Sequence, residues 1–88
     1  MGNSNLNGTG KFTDKSTVEQ DIRRIRWFVR KRYIGDGDVE YMHVRHLGNR
    51  VYEVDAKVWD SPFVSWYLEL RAKVNEDGWI KILKEEIL

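Results

Sequence analysis

The segment Val64–Val74 constrains the fold more than any other part of the chain, because its apolar and polar side chains alternate throughout. Its even-numbered residues are apolar, and its odd-numbered residues are Ser, Tyr, Glu, Arg and Lys. Successive side chains of a β-strand point to opposite faces of the sheet. The alternation therefore predicts a strand with one face in a core and the other in water, which requires neighbouring strands and a cover for the apolar face.

Three more strand-like runs precede and follow this segment, and turns containing Gly, Asn, Asp or Pro separate them. The predicted strands are Val39–Leu47, Val51–Trp59, Val64–Val74 and Trp79–Leu88. The connections are short, and short turns join antiparallel neighbours. We therefore expect a four-stranded antiparallel meander.

The charges on the polar face predict how the strands align. In the middle hairpin, one alignment gives three oppositely charged pairs and one aromatic pair: Asp55–Arg71, Lys57–Glu69, Glu53–Lys73 and Trp59–Tyr67. The first hairpin would pair Leu47 with Val51, Arg45 with Glu53 and His43 with Asp55. The last would pair Val74 with Ile80 and Ala72 with Ile82, with a left-handed Gly78 in its loop. Facing pairs of this kind stabilise a sheet, and all three alignments keep the apolar residues on one face.

The apolar face needs a cover, and the segment Ser16–Ile34 has the spacing of an amphipathic helix. At about 100° per residue, five residues fall on one stripe: Val18, Ile22, Ile25, Val29 and Tyr33. Ser16 as N-cap with Glu19 three residues later fits a capping box, and Gly35 follows the last helical residue. The predicted architecture is an α+β fold in the order α-β-β-β-β, with the N-terminal helix packed on the sheet.

The length of 88 residues allows one small domain. Residues 1–15 are rich in Asn, Gly, Ser and Thr, so they cannot bury enough surface to offset the entropy lost on ordering. We expect a flexible N-terminal tail over residues 1–15, with Phe12 as its candidate anchor, and a single α+β domain over residues 16–88.

The element order, together with the ending Asp77-Gly78-Trp79-Ile80-Lys81-Ile82, resembles the compact cystatin-like and NTF2-like group of folds over residues 16–88. Larger members of that group carry further helices before the sheet and build ligand pockets with them, whereas one helix is predicted here. Its protease-inhibiting members carry a Gln-Val-x-Val-Gly type of hairpin tip, and the corresponding turn here is Leu47-Gly48-Asn49-Arg50. The resemblance therefore implies a fold, but neither an enclosed ligand pocket nor protease inhibition.

Trp27 lies on the side of the predicted helix opposite to the apolar stripe, and cations surround it there. The predicted binding site comprises Arg23, Arg24, Trp27, Arg30 and Lys31. Trp and Arg are enriched at the hot spots of protein interfaces, which favours contact with a protein partner. Arginines beside an aromatic stacking platform also bind nucleic acids, which is the alternative function. A third interpretation is a solvated face on which the cations stack over the indole.

A second predicted contact surface lies on the polar face of the sheet, away from the helix. Three aromatic side chains are placed there: Trp59, Tyr67 and Trp79. Together they form more apolar area than a small monomer usually exposes. A homodimer through this face would cover them, and the alternative is that the long stems of neighbouring Lys and Arg side chains mask the rings.

The sequence offers no catalytic constellation. His43 beside Asp55 and Arg71 is the one arrangement that resembles an acid–base site, and no Ser or Cys stands where it could be activated, so we expect an exposed ion pair. His46 falls opposite Tyr52 on the apolar face, as a hydrogen-bonded core or rim histidine. Histidines on opposite faces cannot share a metal ion, and the chain contains no Cys. The sequence thus predicts no metal and no cofactor, and we interpret the chain as a non-enzymatic interaction module.

The net charge of +1 comes from 15 basic and 14 acidic residues, so any electrostatic argument about partners must be local. No apolar run approaches the length that spans a membrane, and the first residues lack the hydrophobic core of a signal peptide. We expect a cytoplasmic protein without membrane contact, and the soluble part of an anchored protein is the alternative.

Overall fold

The computed structural model describes residues 14–88 and gives one helix followed by four strands. Helix α1 is Lys15–Val29 and continues as a π-helical turn, Arg30–Ile34; the strands are β1 Asp38–Gly48, β2 Val51–Ser61, β3 Val64–Val74 and β4 Ile80–Ile87. The strands form one antiparallel sheet in the order β1-β2-β3-β4. The predicted α+β fold is confirmed. Apart from Asp14 and Lys15, the predicted tail lies outside the described residues, and so does its anchor, Phe12.

The core lies between α1 and the apolar face of the sheet, as the alternation predicts. Its buried apolar residues are Ile25, Val29 and Ile34 from the helical segment and Met42, Tyr52, Val54, Ala56, Val58, Leu68, Leu70, Ala72 and Val74 from the strands. In β2, every second residue from Tyr52 to Val58 is at most 1% exposed. This continuous apolar layer holds the helix on the sheet, because removing apolar surface from water is the main favourable term in folding.

The helix begins one residue before the predicted start, so the predicted capping box is wrong. Asp14 is the residue before the helix, and its carbonyl accepts a hydrogen bond from the amide of Val18 at 2.9 Å. Ser16 lies inside the first turn, where its hydroxyl donates to the Asp14 carboxylate at 3.5 Å. Asp is as common as Ser at the position before a helix. The backbone of Asp14 is extended there, with ψ of 141°, so Asp14 rather than Ser16 is the N-cap residue.

The last turn of the helix is wider than an α-turn. The amide of Gly35 donates to the carbonyl of Arg30 at 2.9 Å, a bond that spans five residues. Side chains after Val29 therefore point in directions different from those that an α-helix would give them. Ile34 would face solvent in a continuous α-helix, yet it is only 6% exposed. Gly35 ends the helix with a φ of 60°, which glycine adopts without strain.

The predicted alignments of the first and last hairpins are confirmed over most of their lengths. His43 faces Asp55, Arg45 faces Glu53, Val74 faces Ile80 and Ala72 faces Ile82. The exception is the end of the first hairpin, where Gly48 rather than Leu47 faces Val51. Asn49 and Arg50 have φ values of 54° and 59°, so a tight two-residue turn closes the hairpin and an irregularity at Leu47 takes up the extra residue.

The predicted alignment of the middle hairpin is wrong by two residues. Glu53 faces Arg71, Asp55 faces Glu69, Lys57 faces Tyr67 and Trp59 faces Ser65. The expected pairs of Asp55 with Arg71, Lys57 with Glu69, Glu53 with Lys73 and Trp59 with Tyr67 are therefore not directly opposite. Arg71 instead donates to Glu53 at 3.0 Å, and Arg45 donates to the same carboxylate. The hydrogen bonds from Arg71 and then Arg45 lower the pKa of Glu53.

The turn explains why the alignment of the middle hairpin differs from the prediction. Strand β2 continues to Ser61, which pairs with Val64 across a turn of only two residues, Pro62 and Phe63. A slip of two residues keeps every side chain on its own face of the sheet. Burial is therefore the same in both alignments, and the tight turn, with an irregularity after Trp59, selects the one that forms.

Candidate functional site

Trp27 lies on the solvent side of α1, as its position in the sequence predicts, and is 63% exposed. The Nζ atom of Lys31 lies 5.5 Å from the centre of its ring, one helical turn away. This is a cation–π contact within the helix. It orients the indole and leaves most of its surface open to solvent.

Trp27 also forms one side of an open groove of about 730 Å³ between α1 and the start of β4. The helical segment contributes Arg23, Arg24, Trp27, Phe28 and Arg32, and the sheet side contributes Gly78, Trp79, Ile80 and Ile82. A volume of this size is typical of binding sites in proteins. Aromatic residues and arginines are also the types enriched at protein interfaces. We define this set of residues as the helix–β4 groove.

Trp79 corrects the prediction of the second contact surface. We expected it on the outer face of the sheet with Trp59 and Tyr67, but it lines the helix–β4 groove and is 73% exposed. It lies in the loop before β4, where the carboxylate of Asp77 accepts a hydrogen bond from the Trp79 amide at 3.0 Å. The alternation of a strand does not apply to a residue held in a turn, so its side chain leaves the predicted face.

Gly78 allows the helix to approach this loop closely. The guanidinium group of Arg24 occupies the space that a Cβ atom of residue 78 would need. The backbone of Gly78 has a φ of 89°, which other residues rarely adopt. Arg24 therefore reaches from α1 to the loop that carries Trp79.

The π-helical turn places Arg32 in the groove. In a continuous α-helix this residue would fall on the apolar stripe, close to the direction of Ile25. The wider turn instead leaves Arg32 exposed along the groove, beside Phe28. Turns of this type occur frequently at functional sites, which agrees with a role for this end of the helix.

The charges of the groove are not neutralised within the described part of the chain. Arg23, Arg24 and Arg32 form no ion pair with any carboxylate of residues 14–88. Of the predicted site, the structure thus brings Arg23, Arg24 and Trp27 together in the groove. It leaves Arg30 and Lys31 exposed beside the groove.

A buried cluster of Asp21, Arg50 and Tyr52 fixes the N-terminal half of the helix on the sheet. Asp21 is 1% exposed and accepts hydrogen bonds from Nε and Nη2 of Arg50 at 3.0 and 2.9 Å and from the Tyr52 hydroxyl at 2.7 Å. Burial, and then the bond to Asp21, raise the pKa of Tyr52. Sequence analysis missed this cluster. Asp21 precedes Ile25 and Val29 by four and eight residues, and that spacing is the signal that could have found it.

The outer face of the sheet holds Trp59 and Tyr67 among charged side chains. The Nζ atom of Lys57 lies 5.0 Å from the ring centre of Trp59 and 5.5 Å from that of Tyr67. The indole of Trp59 donates to Glu40 at 2.8 Å, and this bond is the main cause of the lowered pKa of Glu40. The two rings are thus partly masked by charged neighbours.

The histidines form no acid–base or metal site among the described residues. His43 faces Asp55, but within residues 14–88 the expected ion pair between them is not formed. His46 faces Tyr52 with ring centres 5.0 Å apart, and its buried Nε2 atom has no hydrogen-bond partner in the described range, contrary to the prediction. Over the same range, no three His, Cys, Asp or Glu side chains are grouped to hold a metal ion.

None of the helices formed by residues 14–88 is long and apolar enough to cross a membrane. Comparisons with protein-family models, with curated proteins and with solved structures found no match to the chain. The resemblance to cystatin-like and NTF2-like folds stays a prediction.

Five residues of the groove lie outside both predicted sites: Phe28, Arg32, Gly78, Ile80 and Ile82. The helix and β4 are far apart in the sequence, and neither segment by itself indicates how closely the other approaches. The exposed aromatic residue of the helix, Trp27, was the one available signal.

Proposed function

We propose that the chain is a non-enzymatic protein-interaction module whose contact surface is the helix–β4 groove. One observation carries this proposal. Two indoles, those of Trp27 and Trp79, are 63% and 73% exposed and line the same groove, beside arginines that have no carboxylate partner among residues 14–88. In the monomer most of both indoles is left to solvent, with Lys31 over the Trp27 ring, whereas a partner that covers the groove would remove apolar area from water and pair the charges.

The expected gain is large enough to support a complex. A tryptophan side chain buries about 150–250 Å². At about 25 cal/mol per Å² of apolar surface, covering the exposed part of either indole contributes on the order of 3 kcal/mol. Tryptophan and arginine dominate interface hot spots for this reason, and the groove contains both. The entropy lost when two molecules associate offsets part of this favourable free energy.

Nucleic-acid binding is the second candidate, and the same groove supports it. Unpaired guanidinium groups at Arg23 and Arg32 could contact phosphates while an exposed indole stacks on a base. The apolar part of the groove favours a protein partner instead, because nucleic-acid affinity comes mainly from contacts with phosphates, and Phe28, Ile80 and Ile82 make none. Self-association through the outer face is supported less well than predicted, because Lys57 lies over both remaining rings there.

The test is partner recovery with groove and control variants. Trp27→Ala combined with Trp79→Ala removes both indoles and leaves the core intact, so the variant is expected to stay folded and to lose its partner. Phe63→Ala is the matched control, because Phe63 is 92% exposed at the tip of the β2–β3 hairpin, away from the groove. Affinity-tagged chains are compared in pull-downs with quantitative mass spectrometry, with and without nuclease. Equal recovery by the double variant and the wild type would contradict the proposal, and recovery that nuclease abolishes would favour the nucleic-acid alternative.

A further inference from the structure

We propose that the partner is an extended segment of another protein, which pairs with the free edge of β4 and places apolar and acidic side chains of one face in the helix–β4 groove. This inference rests on the proposed function and specifies the chemistry of the partner. Strand addition to an exposed sheet edge is a recurring way to bind peptides, with main-chain hydrogen bonds giving affinity and pockets for alternate side chains giving specificity.

The backbone of β4 is open where it borders the groove. The amide of Asn75 donates to the carbonyl of Trp79 at 2.8 Å, so Trp79 directs its backbone towards β3. Such pairs recur every second residue in an antiparallel ladder, and the intervening residues direct their N–H and C=O groups to the other edge. Ile80 and Ile82 are the intervening residues, and no further strand of residues 14–88 pairs with β4 on that side.

The two edge strands of the sheet, β1 and β4, differ in which of their groups the helical segment contacts. At the β1 edge, the guanidinium group of Arg26 donates to the carbonyl of Met42 at 3.1 Å, so a helix side chain already occupies an edge carbonyl. At the β4 edge, the helical segment contacts Glu85 through Tyr33 but stands away from Ile80 and Ile82, where it leaves the groove. Open edges invite pairing with other chains. The backbone of Ile80 and Ile82 is therefore the part of this edge that an added strand can reach.

The side chains around this edge select an acidic and partly apolar segment. Ile80 and Ile82 face Trp27 and Phe28 across the groove, so every second side chain of an added strand would meet apolar groups. Arg23 and Arg32 are free to pair with carboxylates on that strand. Of the acids in and before β4, Glu85 accepts a hydrogen bond from Tyr33 and Asp77 accepts one from the Trp79 amide, so both are already engaged.

The chain itself does not supply such a segment. Residues 1–13 contain no Asp or Glu and one Lys, so they offer no carboxylate to the arginines. The arginines of the groove, which have no carboxylate partner among residues 14–88, point to a foreign segment as the occupant. A second copy joined antiparallel through β4 could set Lys81 opposite Glu86, so a dimer in sedimentation that Trp27→Ala with Trp79→Ala dissociates would overturn the foreign segment.

The experiment uses a displayed peptide library as the probe. Its members have about six residues, the usual length of a strand; every second position, the set that would face the groove, carries an apolar residue or an Asp or Glu, and the positions between carry Ser or Thr. We expect at least about tenfold enrichment over a library with Lys in place of the acids, and comparable weakening of a selected peptide by Arg23→Gln with Arg32→Gln. Arg45→Gln on the outer face is the matched charge control and leaves binding unchanged.

Backbone pairing is tested separately from side-chain contact. A selected peptide that is N-methylated at the positions facing β4 is expected to bind at least about tenfold more weakly, and hydrogen exchange of the Ile80 and Ile82 amides is expected to slow when the unmodified peptide binds. Equal binding of the methylated peptide overturns strand addition. No enrichment of acidic peptides, while the Trp27→Ala and Trp79→Ala variant still loses its partner, overturns this inference and leaves the proposed function standing. If the groove variants weaken neither peptide binding nor partner recovery, both this inference and the proposed function are overturned. If the groove binds an oligonucleotide in preference to every peptide, the protein partner is overturned.

Discussion

The carboxylate of Asp21 accepts both a 3.0 Å and a 2.9 Å hydrogen bond from the guanidinium group of Arg50, which joins the middle of α1 to the turn between β1 and β2. The Asp21 side chain is 1% exposed and that of Arg50 is 26% exposed. A buried carboxylate paired with a guanidinium group is costly to separate from it, because the Asp21 carboxylate would then stay buried without its charged partner. The pair therefore fixes where the helix lies on the sheet, and with it the position of Trp27.

Asp21→Asn is expected to destabilise the fold by about 2 kcal/mol, since it removes the charge that Arg50 pairs with and weakens two charge-assisted bonds. Arg50 can partly reach water, which keeps the cost below that of a fully buried pair. Urea denaturation followed by far-UV circular dichroism measures the change. A loss below about 0.5 kcal/mol would show that the pair is not a structural anchor.

The backbone of Arg50 provides a second test at the same position. Its φ of 59° is unfavourable for any residue with a Cβ atom. Arg50→Gly and Arg50→Ala both remove the ion pair, but only the glycine relieves the backbone. The glycine variant is expected to be more stable than the alanine variant by about 1 kcal/mol in the same denaturation assay. Equal stabilities would mean that the turn rearranges when the ion pair is lost.

Tyr52 makes the stability of the fold depend on alkaline pH. Burial and the bond to Asp21 raise its pKa in the folded state above the value of about 10 in the unfolded chain. Below that value both states hold the proton and the contribution is constant. Above it the unfolded state loses the proton first, so stability falls by up to about 1.4 kcal/mol per pH unit until the folded pKa is passed. Tyr52→Phe is therefore expected to lose less stability than the wild type between pH 9 and pH 11 in urea denaturation, and equal losses would contradict a role for the Tyr52 hydroxyl.

Gly78 and Arg24 are expected to act as a coupled pair. Gly78→Ala is expected to cost at least about 1 kcal/mol, because it adds a Cβ atom at a φ of 89° and at the place of the Arg24 guanidinium. In the background of Arg24→Ala the new Cβ atom displaces no guanidinium group, so the double variant is expected to lose slightly less stability than the sum of the two single variants. Strict additivity in thermal and urea denaturation would contradict the close contact.

The alignment of the middle hairpin can be measured by cross-linking, because the chain has no native cysteine. Glu53 and Arg71 face each other, and directly facing residues of an antiparallel pair have Cα atoms close enough for a disulfide. Glu53→Cys with Arg71→Cys is expected to form one under mild oxidation. Asp55→Cys with Arg71→Cys, which corresponds to the alignment predicted from charge, is expected to keep its free thiols. Thiol titration and mass spectrometry distinguish the two, and the reverse pattern would restore the predicted alignment.

Local patterns in the sequence were enough to predict the elements and their faces. The alternation in β2 and β3 identified the buried residues from Tyr52 to Val58 and from Leu68 to Val74, and the helical period placed Trp27 on the exposed side. The glycine of the last turn predicted the pairing of Val74 with Ile80. These properties follow from side-chain direction and turn chemistry, which depend on neighbours within a few residues.

The sequence by itself thus determined the order of the elements, the side of each strand that is buried, and the exposure of one tryptophan. Only the tertiary structure decided three things: the alignment of Glu53 with Arg71, the burial of Asp21 against Arg50, and the meeting of Trp27 with Trp79 in one groove. The physical reason is the same in each case. A two-residue slip of the hairpin leaves burial unchanged, so burial cannot select the alignment. The charge of Asp21 on the apolar stripe needs a partner from a distant turn, and the groove depends on where the helix lies on the sheet. Each feature is therefore set by contacts between segments that are remote along the chain.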